Sequence, residues 1–311
     1  MSEKKKSLIF TVIGGDRRQA TVTRKLLSLG HTVRIFGLGE LSAHLCGAEI
    51  YSNVAKALQG CDILLLPLPV SRDNVNVSFI SSTNISSLNI RETINLASKG
   101  GCKILLGGML SDELIRLSEA QGIKAIDYYV SDALQKKNAL PSAEGALMIA
   151  MEHTDITVKG MKALVCGYGR IGSCLCSILD ALGATVCVAA RGDRALCEAS
   201  LCGYDTVRLG DSNGGSLAIA ADSSDVIFNT VPSVIFSERV LNEINTKPLY
   251  IEIASSPGGI DTSFGREKGL QIIFAPSLPG KYSPKTAGEY IFETISDILL
   301  ESGVNICREN G

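Results

Sequence analysis

The run Gly167–Gly172, spaced Gly-x-Gly-x-x-Gly, limits the fold more than any other part of the chain. The apolar segment before it, Met161–Cys166, is typical of a buried strand. Ile171–Leu182 follows with apolar residues at helical spacing, and Thr185–Ala189 is a second strand-like run. Glycine spacing alone is a weak signal, but strand, glycine turn, helix and strand in this order predict a dinucleotide-binding βαβ unit.

Five of the six positions of this turn have a predicted part in binding. Gly167 would permit the tight turn, Gly169 would let the backbone approach a pyrophosphate, and Gly172 would let helix and strand pack closely. Arg170 and Ile171 open the helix, whose N-terminal N–H groups and dipole favour phosphate. We therefore predict that these five residues bind a dinucleotide.

Length and composition indicate the class of protein. The chain has 311 residues, which is enough for two domains with cores of their own. A net charge of −2 gives no electrostatic reason to expect nucleic acid or an anionic membrane as a partner. The basic start, Met1–Ser7, leads into the short run Leu8–Ile13, which predicts a first strand rather than a signal peptide. No apolar stretch reaches the roughly 18 residues of a membrane span, and we expect a cytoplasmic protein.

Ten cysteines raise the question of disulfides or a zinc site. They lie mostly inside apolar runs and form no Cys-x-x-Cys pair, and the three histidines are not spaced with them as zinc ligands. We expect reduced thiols that act as small core hydrophobes, Cys307 included, and no metal site. A single reactive cysteine is the alternative.

Short apolar runs alternate with helical segments along both halves of the chain. The predicted strands are Leu8–Ile13, His31–Phe36, Ile63–Leu66, Lys103–Leu106 and Ile123–Ile126, and then segments around 162–166, 185–189, 226–229, 249–253 and 271–274. This alternation predicts an α/β fold of two Rossmann-like, doubly wound parallel-sheet domains. The architecture resembles that of D-2-hydroxyacid dehydrogenases.

The expected domain boundaries follow from the same alternation. Residues 1–140 would form an N-terminal α/β domain on the substrate side, and residues 156–280 the dinucleotide-binding domain. Residues 141–155 would form a linker helix, because Ser142 followed by Glu144 is typical of a helix start. Residues 281–311 would end the chain with an amphipathic helix that packs back across the hinge.

The residue that ends the second strand of a dinucleotide-binding unit distinguishes the two nicotinamide cofactors. An acidic residue there binds the ribose hydroxyl of NAD, whereas an arginine suits the 2′-phosphate of NADP. Arg191 is the first residue after this strand, so the sequence favours NADP. Asp193 comes two residues late for the NAD role. A solvated Arg191 without a ligand is the alternative interpretation.

Other strand ends supply further candidates, because ligands of α/β proteins collect at the carboxyl edge of the sheet. Predicted cofactor contacts are Asn229, Thr230, Pro232 and Ala254. Candidates for substrate contact are Asp16, Arg18 and Ser71 in the first half and Lys281 in the second. For each of them an ordinary turn or a solvated side chain is the alternative.

Several segments together resemble the A-subunits of dipicolinate synthases, enzymes of spore-forming bacteria. The matching segments are Gly14–Gln19, Asn138–Gly145, Glu152–Asp155, Gly167–Gly172 with Ala190-Arg191, Asn229–Ser233, Ala254–Asp261, Leu278–Lys281 and Pro284–Gly288. They occur in one order along nearly the whole chain, which makes the resemblance specific.

The resemblance implies an NADP-dependent oxidoreductase of two subunits that forms dipicolinate (pyridine-2,6-dicarboxylate) during sporulation. The substrate would be dihydrodipicolinate or 4-hydroxy-tetrahydrodipicolinate, and the partner would be the flavoprotein-like B-subunit of dipicolinate synthase. Side chains implied in holding this small dicarboxylate are Asp16, Arg18, Ser71, Asn138, Ser142, Glu144, Ser255, Lys281 and Thr286. Ser256 stands where the family often has a basic residue, and no catalytic acid or base is identified.

Two other functions stay open. A D-2-hydroxyacid dehydrogenase would need an arginine and a Pro-His pair where this chain has Ala254–Ser256 and Pro276-Ser277. The chain could instead be a non-catalytic, NADP-binding partner of another enzyme. Association into a homo-oligomer is compatible with all three functions.

Overall fold

The computed structural model describes residues 7–80, 85, 87–210 and 214–306. The basic start of the chain, residues 1–6, and Cys307 lie outside these residues, and so do the expectations made for them. Within the described part of the chain, none of the helices combines the length and the apolar character that a membrane span requires.

The first half of the chain forms a six-stranded parallel sheet. Its strands are β1 (Ile9–Ile13), β2 (Thr32–Phe36), β3 (Glu49–Ile50), β4 (Ile63–Leu65), β5 (Ile104–Gly107) and β6 (Lys124–Asp127). They are arranged in the order β3-β2-β1-β4-β5-β6. The central strands are apolar and buried because helices cover both faces of a parallel sheet.

The second half forms another six-stranded parallel sheet. Its strands are β7 (Lys162–Cys166), β8 (Thr185–Ala190), β9 (Asp205–Arg208), β10 (Val226–Asn229), β11 (Leu249–Glu252) and β12 (Ile272–Phe274). The order β12-β11-β10-β7-β8-β9 repeats that of the first sheet. Both sheets have the strand order of a doubly wound nucleotide-binding fold, which confirms the predicted fold class.

The helices connect these strands. Their bounds are α1 (Arg17–Ser28), α2 (Val54–Leu58), α3 (Ile90–Lys99), α4 (Asp112–Ala120), α5 (Asp132–His153), α6 (Arg170–Ala181), α7 (Asp193–Leu201), α8 (Gly215–Asp222), α9 (Glu238–Asn242), α10 (Thr262–Glu267), α11 (Leu278–Tyr282) and α12 (Pro284–Glu301). Short polar side chains cap several of them, as Asn89 does for α3 and Ser111 for α4, and so fix where each helix begins.

The edge strands β3 and β9 are absent from the sequence-based prediction. Both residues of β3 are exposed, and β9 is exposed except at Val207, which is half-buried. A strand at a sheet edge can form without a continuous apolar run, and β3 and β9 have none, so the pattern misses these two while it detects the edge strands β6 and β12.

The chain divides into two compact units. One comprises residues 1–137 and 284–311, and the other comprises residues 138–283. The boundary falls inside α5, which begins at Asp132 and not at residue 141 as the linker helix was expected to. Pro141 lies inside this helix and Ser142 does not cap it; its hydroxyl donates to the carbonyl of Asn138 at 2.7 Å.

Helix α12 contributes to the core of the first unit. Its side chains Ile291, Ile295 and Leu299 are buried in the same cluster as Phe10 and Val12 of β1. The first unit is therefore built from two separate stretches of the chain, and the second from one.

The described cysteines are free thiols in different environments. Cys61, Cys102, Cys166 and Cys176 are buried, Cys174 and Cys187 are half-buried, and Cys46, Cys197 and Cys202 are exposed. The expectation of core thiols is wrong for the last three. Cys197 lies on α7 and Cys202 just after it, and both face solvent. Their apolar neighbours in the sequence do not indicate this exposure.

Candidate functional site

The glycine turn of the second unit lies at the carboxyl end of β7, where the strand order of the sheet reverses. Gly167 has a positive φ of 94°, and its N–H donates to the carbonyl of Ala189 at 2.8 Å. A Cβ at this position would overlap the hydroxyl of Thr230. A Cβ at Gly172 would overlap the carbonyl oxygen of Gly167, so α6 can approach β7 only with glycine there.

Gly169 differs from these two glycines because a Cβ there would meet no atom within 4 Å. It is exposed and forms the N-cap of α6, and no side chain caps the helix from this position. Arg170 and Ile171, exposed and half-buried, form the first turn behind it. The first turn of a 12-residue helix, with glycine at its N-cap and the positive end of the helix dipole, forms an environment that favours an anion.

Arg191 lies at the carboxyl end of β8 and is exposed. It lines a cavity of about 390 Å³, together with Leu209, Gly210, Leu217, Ser233, Val234 and Ser237 among others. Arg208 donates to the carbonyl of Arg191 at 3.2 Å and pairs with the carboxylate of Asp193. Asp193, the acidic residue nearest to Arg191 in sequence, is therefore neutralised by its ion pair with Arg208.

Among the predicted contacts at the end of β10, Thr230 and Asn229 have different surroundings. The N–H and hydroxyl of Thr230 both donate to the carbonyl of Cys166, each at 2.8 Å, and place Thr230 against Gly167. The Asn229 side chain is fully buried; it bonds to both the N–H and the carbonyl of Val231, and to Glu252. Its hydrogen-bonding groups are therefore occupied by protein partners, and no part of the side chain is accessible.

Other predicted residues of the second unit separate into exposed and buried side chains. Ser255, Glu144 and Lys281 are exposed, and the ammonium group of Lys281 lies 5.7 Å from the ring centre of Tyr282. Pro232 is exposed and Ala254 is half-buried. Asn138 and Ser142 are buried next to each other on α5, and Oδ1 of Asn138 has no hydrogen-bond partner among the described residues.

In the first unit, half-buried Asp16 and buried Arg18 form an ion pair at the carboxyl end of β1. Asp16 caps α1 by accepting from the N–H of Arg18 at 2.9 Å. The Arg18 guanidinium donates to both oxygens of the same carboxylate, at 2.7–3.1 Å, and also to the carbonyl of Leu68. Only 5% of Arg18 is exposed, so this arginine holds the turn after β1 to the loop after β4. It is not the open cation that its place at a strand end predicts.

Ser71 and Thr286 are the remaining predicted residues of this unit. Ser71 is half-buried, and its hydroxyl donates to Asp73 at 3.0 Å. Hydrogen bonds from the Asn76 backbone and side chain, and from Val75, hold the pKa of the Asp73 carboxyl well below its usual range. Thr286 is half-buried near the start of α12.

Three residues that organise these loops are missing from the sequence-based prediction. Gln19 and Tyr128 both donate to the carbonyl of Leu66, at 2.8 and 3.2 Å. Asp127 accepts from the N–H groups of Met109 and Leu110 at 3.0 Å each, which holds Met109 at a φ of 62°. Gln19 directly follows the predicted contact Arg18, and Asp127 directly follows the predicted strand Ile123–Ile126. Nothing in the sequence indicates which backbone group either side chain would bind.

Comparison with known proteins agrees with the resemblance seen in the motifs. Residues 9–129 match the family model described as the N-terminal domain of the dipicolinate synthase A-subunit. Over 294 residues the chain is 29% identical to the dipicolinate synthase A-subunit of Bacillus subtilis (strain 168), with 94% of this chain and 96% of the relative covered. The crystal structure of the dipicolinate synthase A-subunit from Bacillus halodurans superimposes with a TM-score of 0.81 at 28% identity, covering 94% and 97% of the two chains.

A more distant structure shows how widely this fold is used. The apo-structure of D-lactate dehydrogenase from Escherichia coli matches with a TM-score of 0.59 at 14% identity, over 96% of this chain and 98% of that one. At that identity the likeness concerns the fold alone. The motifs, the family model and the two Bacillus relatives agree, and over nearly its whole length this chain is similar to dipicolinate synthase A-subunits.

Proposed function

We propose that this chain is the NADP-binding subunit of an oxidoreductase that forms dipicolinate from dihydrodipicolinate or 4-hydroxy-tetrahydrodipicolinate. The observation that carries the proposal is the start of α6, where Gly169 faces open space while Gly167 and Gly172 are closely packed. Homology to the dipicolinate synthase A-subunit supports the oxidoreductase class. The sporulation role, the cytoplasmic location and the flavoprotein-like B-subunit partner belong to the same proposal.

The cofactor site would use two features of the second unit. The N–H groups at the start of α6 would bind the pyrophosphate, because they lie at the positive end of the helix and Gly169 at the N-cap leaves room for the ligand. Arg191, on the wall of the 390 Å³ cavity, would bind the 2′-phosphate of NADP. Asp193 is paired with Arg208, so its repulsion of a phosphate would be reduced.

Oxidation of dihydrodipicolinate removes two hydrogen atoms from the ring, one as hydride and one as a proton, and leaves an aromatic pyridine. Bound NADP in its oxidised form supplies the hydride acceptor. The protein's part would be to hold the dicarboxylate and to orient it. Among the predicted residues, Lys281 and Ser255 are exposed and Ser71 is half-buried, so each remains a candidate for such a contact. Arg18, Asn138 and Ser142 are buried and would support the surrounding backbone.

A direct assay tests the proposal. The chain is incubated with dihydrodipicolinate and NADP, with and without the B-type partner, and the ultraviolet absorbance of dipicolinate is followed. We expect dipicolinate to form in the combined reaction, and its absence there would contradict the proposal. Turnover of D-lactate or D-glycerate by the chain alone would instead favour a D-2-hydroxyacid dehydrogenase. NADP binding without turnover, even with the partner, would favour a non-catalytic role.

A further inference from the structure

Glu252, the last residue of β11, is a carboxylate buried in the second unit with 2% of its surface exposed. It accepts four hydrogen bonds. Oε1 accepts from the Asn229 amide at 2.6 Å and from the Ala254 N–H at 3.1 Å. Oε2 accepts from the Gly259 N–H at 2.7 Å and from the Tyr250 hydroxyl at 3.3 Å. All four donors are neutral.

Burying a carboxylate costs free energy unless its oxygens accept hydrogen bonds. The four donors stabilise Glu252 in this way, and Glu252 in turn holds them in place. The loop around Glu252 has the small residues that this arrangement needs. A Cβ at Gly258 would lie 2.9 Å from Oε2 of Glu252, and a Cβ at Gly259 would overlap the Asn229 amide. The glycines of the Pro-Gly-Gly segment therefore make room for the Glu252–Asn229 pair.

The same pair reaches the glycine turn through the loop after β10. Asn229 accepts from the Val231 N–H at 3.1 Å and donates to the Val231 carbonyl at 2.9 Å. Thr230, between them in sequence, bonds to Cys166 and lies against Gly167. One carboxylate thus connects the loop after β11, the loop after β10 and the start of the βα turn.

We propose that Glu252 is a positioning residue for the dinucleotide site: it sets the two loops beside the glycine turn without touching the ligand. The inference rests on the proposed function, since it assumes that a dinucleotide binds at this turn. A carboxylate is required because it offers two acceptor oxygens. In Glu252→Gln one of the two oxygens becomes an NH₂ group. The donors that bonded to that oxygen then face another donor and lose their acceptor.

The test compares four proteins: wild type, Glu252→Gln, Tyr250→Phe and the double variant Glu252→Gln/Asn229→Asp. Tyr250→Phe is the matched control, because it removes one long hydrogen bond to the same carboxylate and leaves both loops attached. In the double variant, the carboxylate introduced at position 229 can accept from the new amide, and the remaining amide oxygen can still accept from Gly259. The Ala254 N–H and the Val231 carbonyl each lose one partner, so the rescue is partial. Dissociation constants for NADP and NAD are measured by calorimetry at a temperature where each protein is folded, and urea unfolding is measured alongside.

We expect Glu252→Gln to weaken dinucleotide binding about tenfold or more, Tyr250→Phe to change it less than about twofold, and the double variant to recover part of the loss. Unchanged binding by folded Glu252→Gln would overturn the inference alone. Absence of binding by the wild type would overturn the proposed function as well.

Hydrogen exchange of the wild type provides a measurement that needs no variant. We expect the Ala254 and Gly259 amides to be protected before NADP is added, because both donate to a buried acceptor. Exchange as fast as in exposed loops would overturn the inference even if Glu252→Gln does not fold.

Discussion

The buried Arg18 guanidinium donates to both carboxylate oxygens of the half-buried Asp16 and to the carbonyl of Leu68. Removing the guanidinium by Arg18→Ala would leave the carboxylate and the carbonyl without their donor. Since 29% of the Asp16 side chain is exposed, we expect a loss of about 2–4 kcal/mol in the free energy of unfolding, somewhat less than for a fully buried pair.

Urea unfolding monitored by circular dichroism measures this loss. Arg17→Ala is the matched control, since Arg17 is exposed at the first position of the same helix. It should change stability by less than about 0.5 kcal/mol. Equal effects of the two substitutions would mean that the Arg18 pair does not hold the two loops together.

Gly169→Ala and Gly172→Ala should separate binding from folding. The Cβ of Gly172→Ala would overlap backbone, so we expect it to destabilise the second unit by at least about 2 kcal/mol. The Cβ of Gly169→Ala meets no atom of the protein but would stand where a pyrophosphate is expected to approach.

The free energy of unfolding of Gly169→Ala should therefore lie within about 1 kcal/mol of the wild-type value. Its affinity for NADP should be at least about tenfold weaker. Thermal unfolding and calorimetric titration on the same samples check both outcomes. Wild-type NADP affinity in Gly169→Ala would contradict the placement of the phosphates at α6.

Arg191→Ala should change the preference between the two nicotinamide cofactors. Loss of charge-assisted hydrogen bonds to the 2′-phosphate predicts about 10–100-fold weaker binding of NADP, with NAD affinity changed less than about twofold. Arg194→Ala is the control, because Arg194 is exposed on α7 and already pairs with Glu198. Similar losses for NADP and NAD would show that Arg191 does not meet the 2′-phosphate.

The cysteines should differ sharply in reactivity, because only the thiolate reacts with alkylating reagents. Burial raises the pKa of Cys176 to about 12 and that of Cys187 to about 11. Both thiols stay protonated at mildly alkaline pH, and the labelling of Cys187 should increase only as the pH approaches about 11. In the native protein at about pH 8.5, iodoacetamide should label Cys46, Cys197 and Cys202, as seen by peptide mass spectrometry.

Labelling in urea provides the control, since every thiol should then react. Rapid labelling of Cys176 in the native protein would contradict its position in the core of the second unit.

The central strands and the glycine turn were predictable because their signals are local. A buried parallel strand must be an apolar run, and a tight βα turn beside a phosphate site must contain glycine at fixed positions. The start of α5 was not predictable in this way. Ser142 and Glu144 are typical of a helix start, but α5 continues through them from Asp132, and tertiary packing decides between these alternatives.

The polar residues at strand ends show a different limit. Asn229 and Thr230 are adjacent at the end of the apolar strand β10. Asn229 is nevertheless fully buried, and it bonds to Glu252, which lies 23 residues further along the chain. Arg18 likewise meets Leu68, 50 residues away. Such partners come together only through the order of the strands in the sheet. Polar residues at a strand end therefore indicate a hydrogen-bond network, but they do not indicate which side chains remain accessible.

The two-stretch construction of the first unit has a consequence for how the protein is made. A ribosome completes β1 early, but the side chains of α12 that close the core around Phe10 and Val12 emerge after the entire second unit. Domains tend to fold as units during synthesis. The second unit, continuous in sequence, can therefore complete its core without later segments, whereas the part of the first unit that is translated first has an unfinished core until α12 has been added.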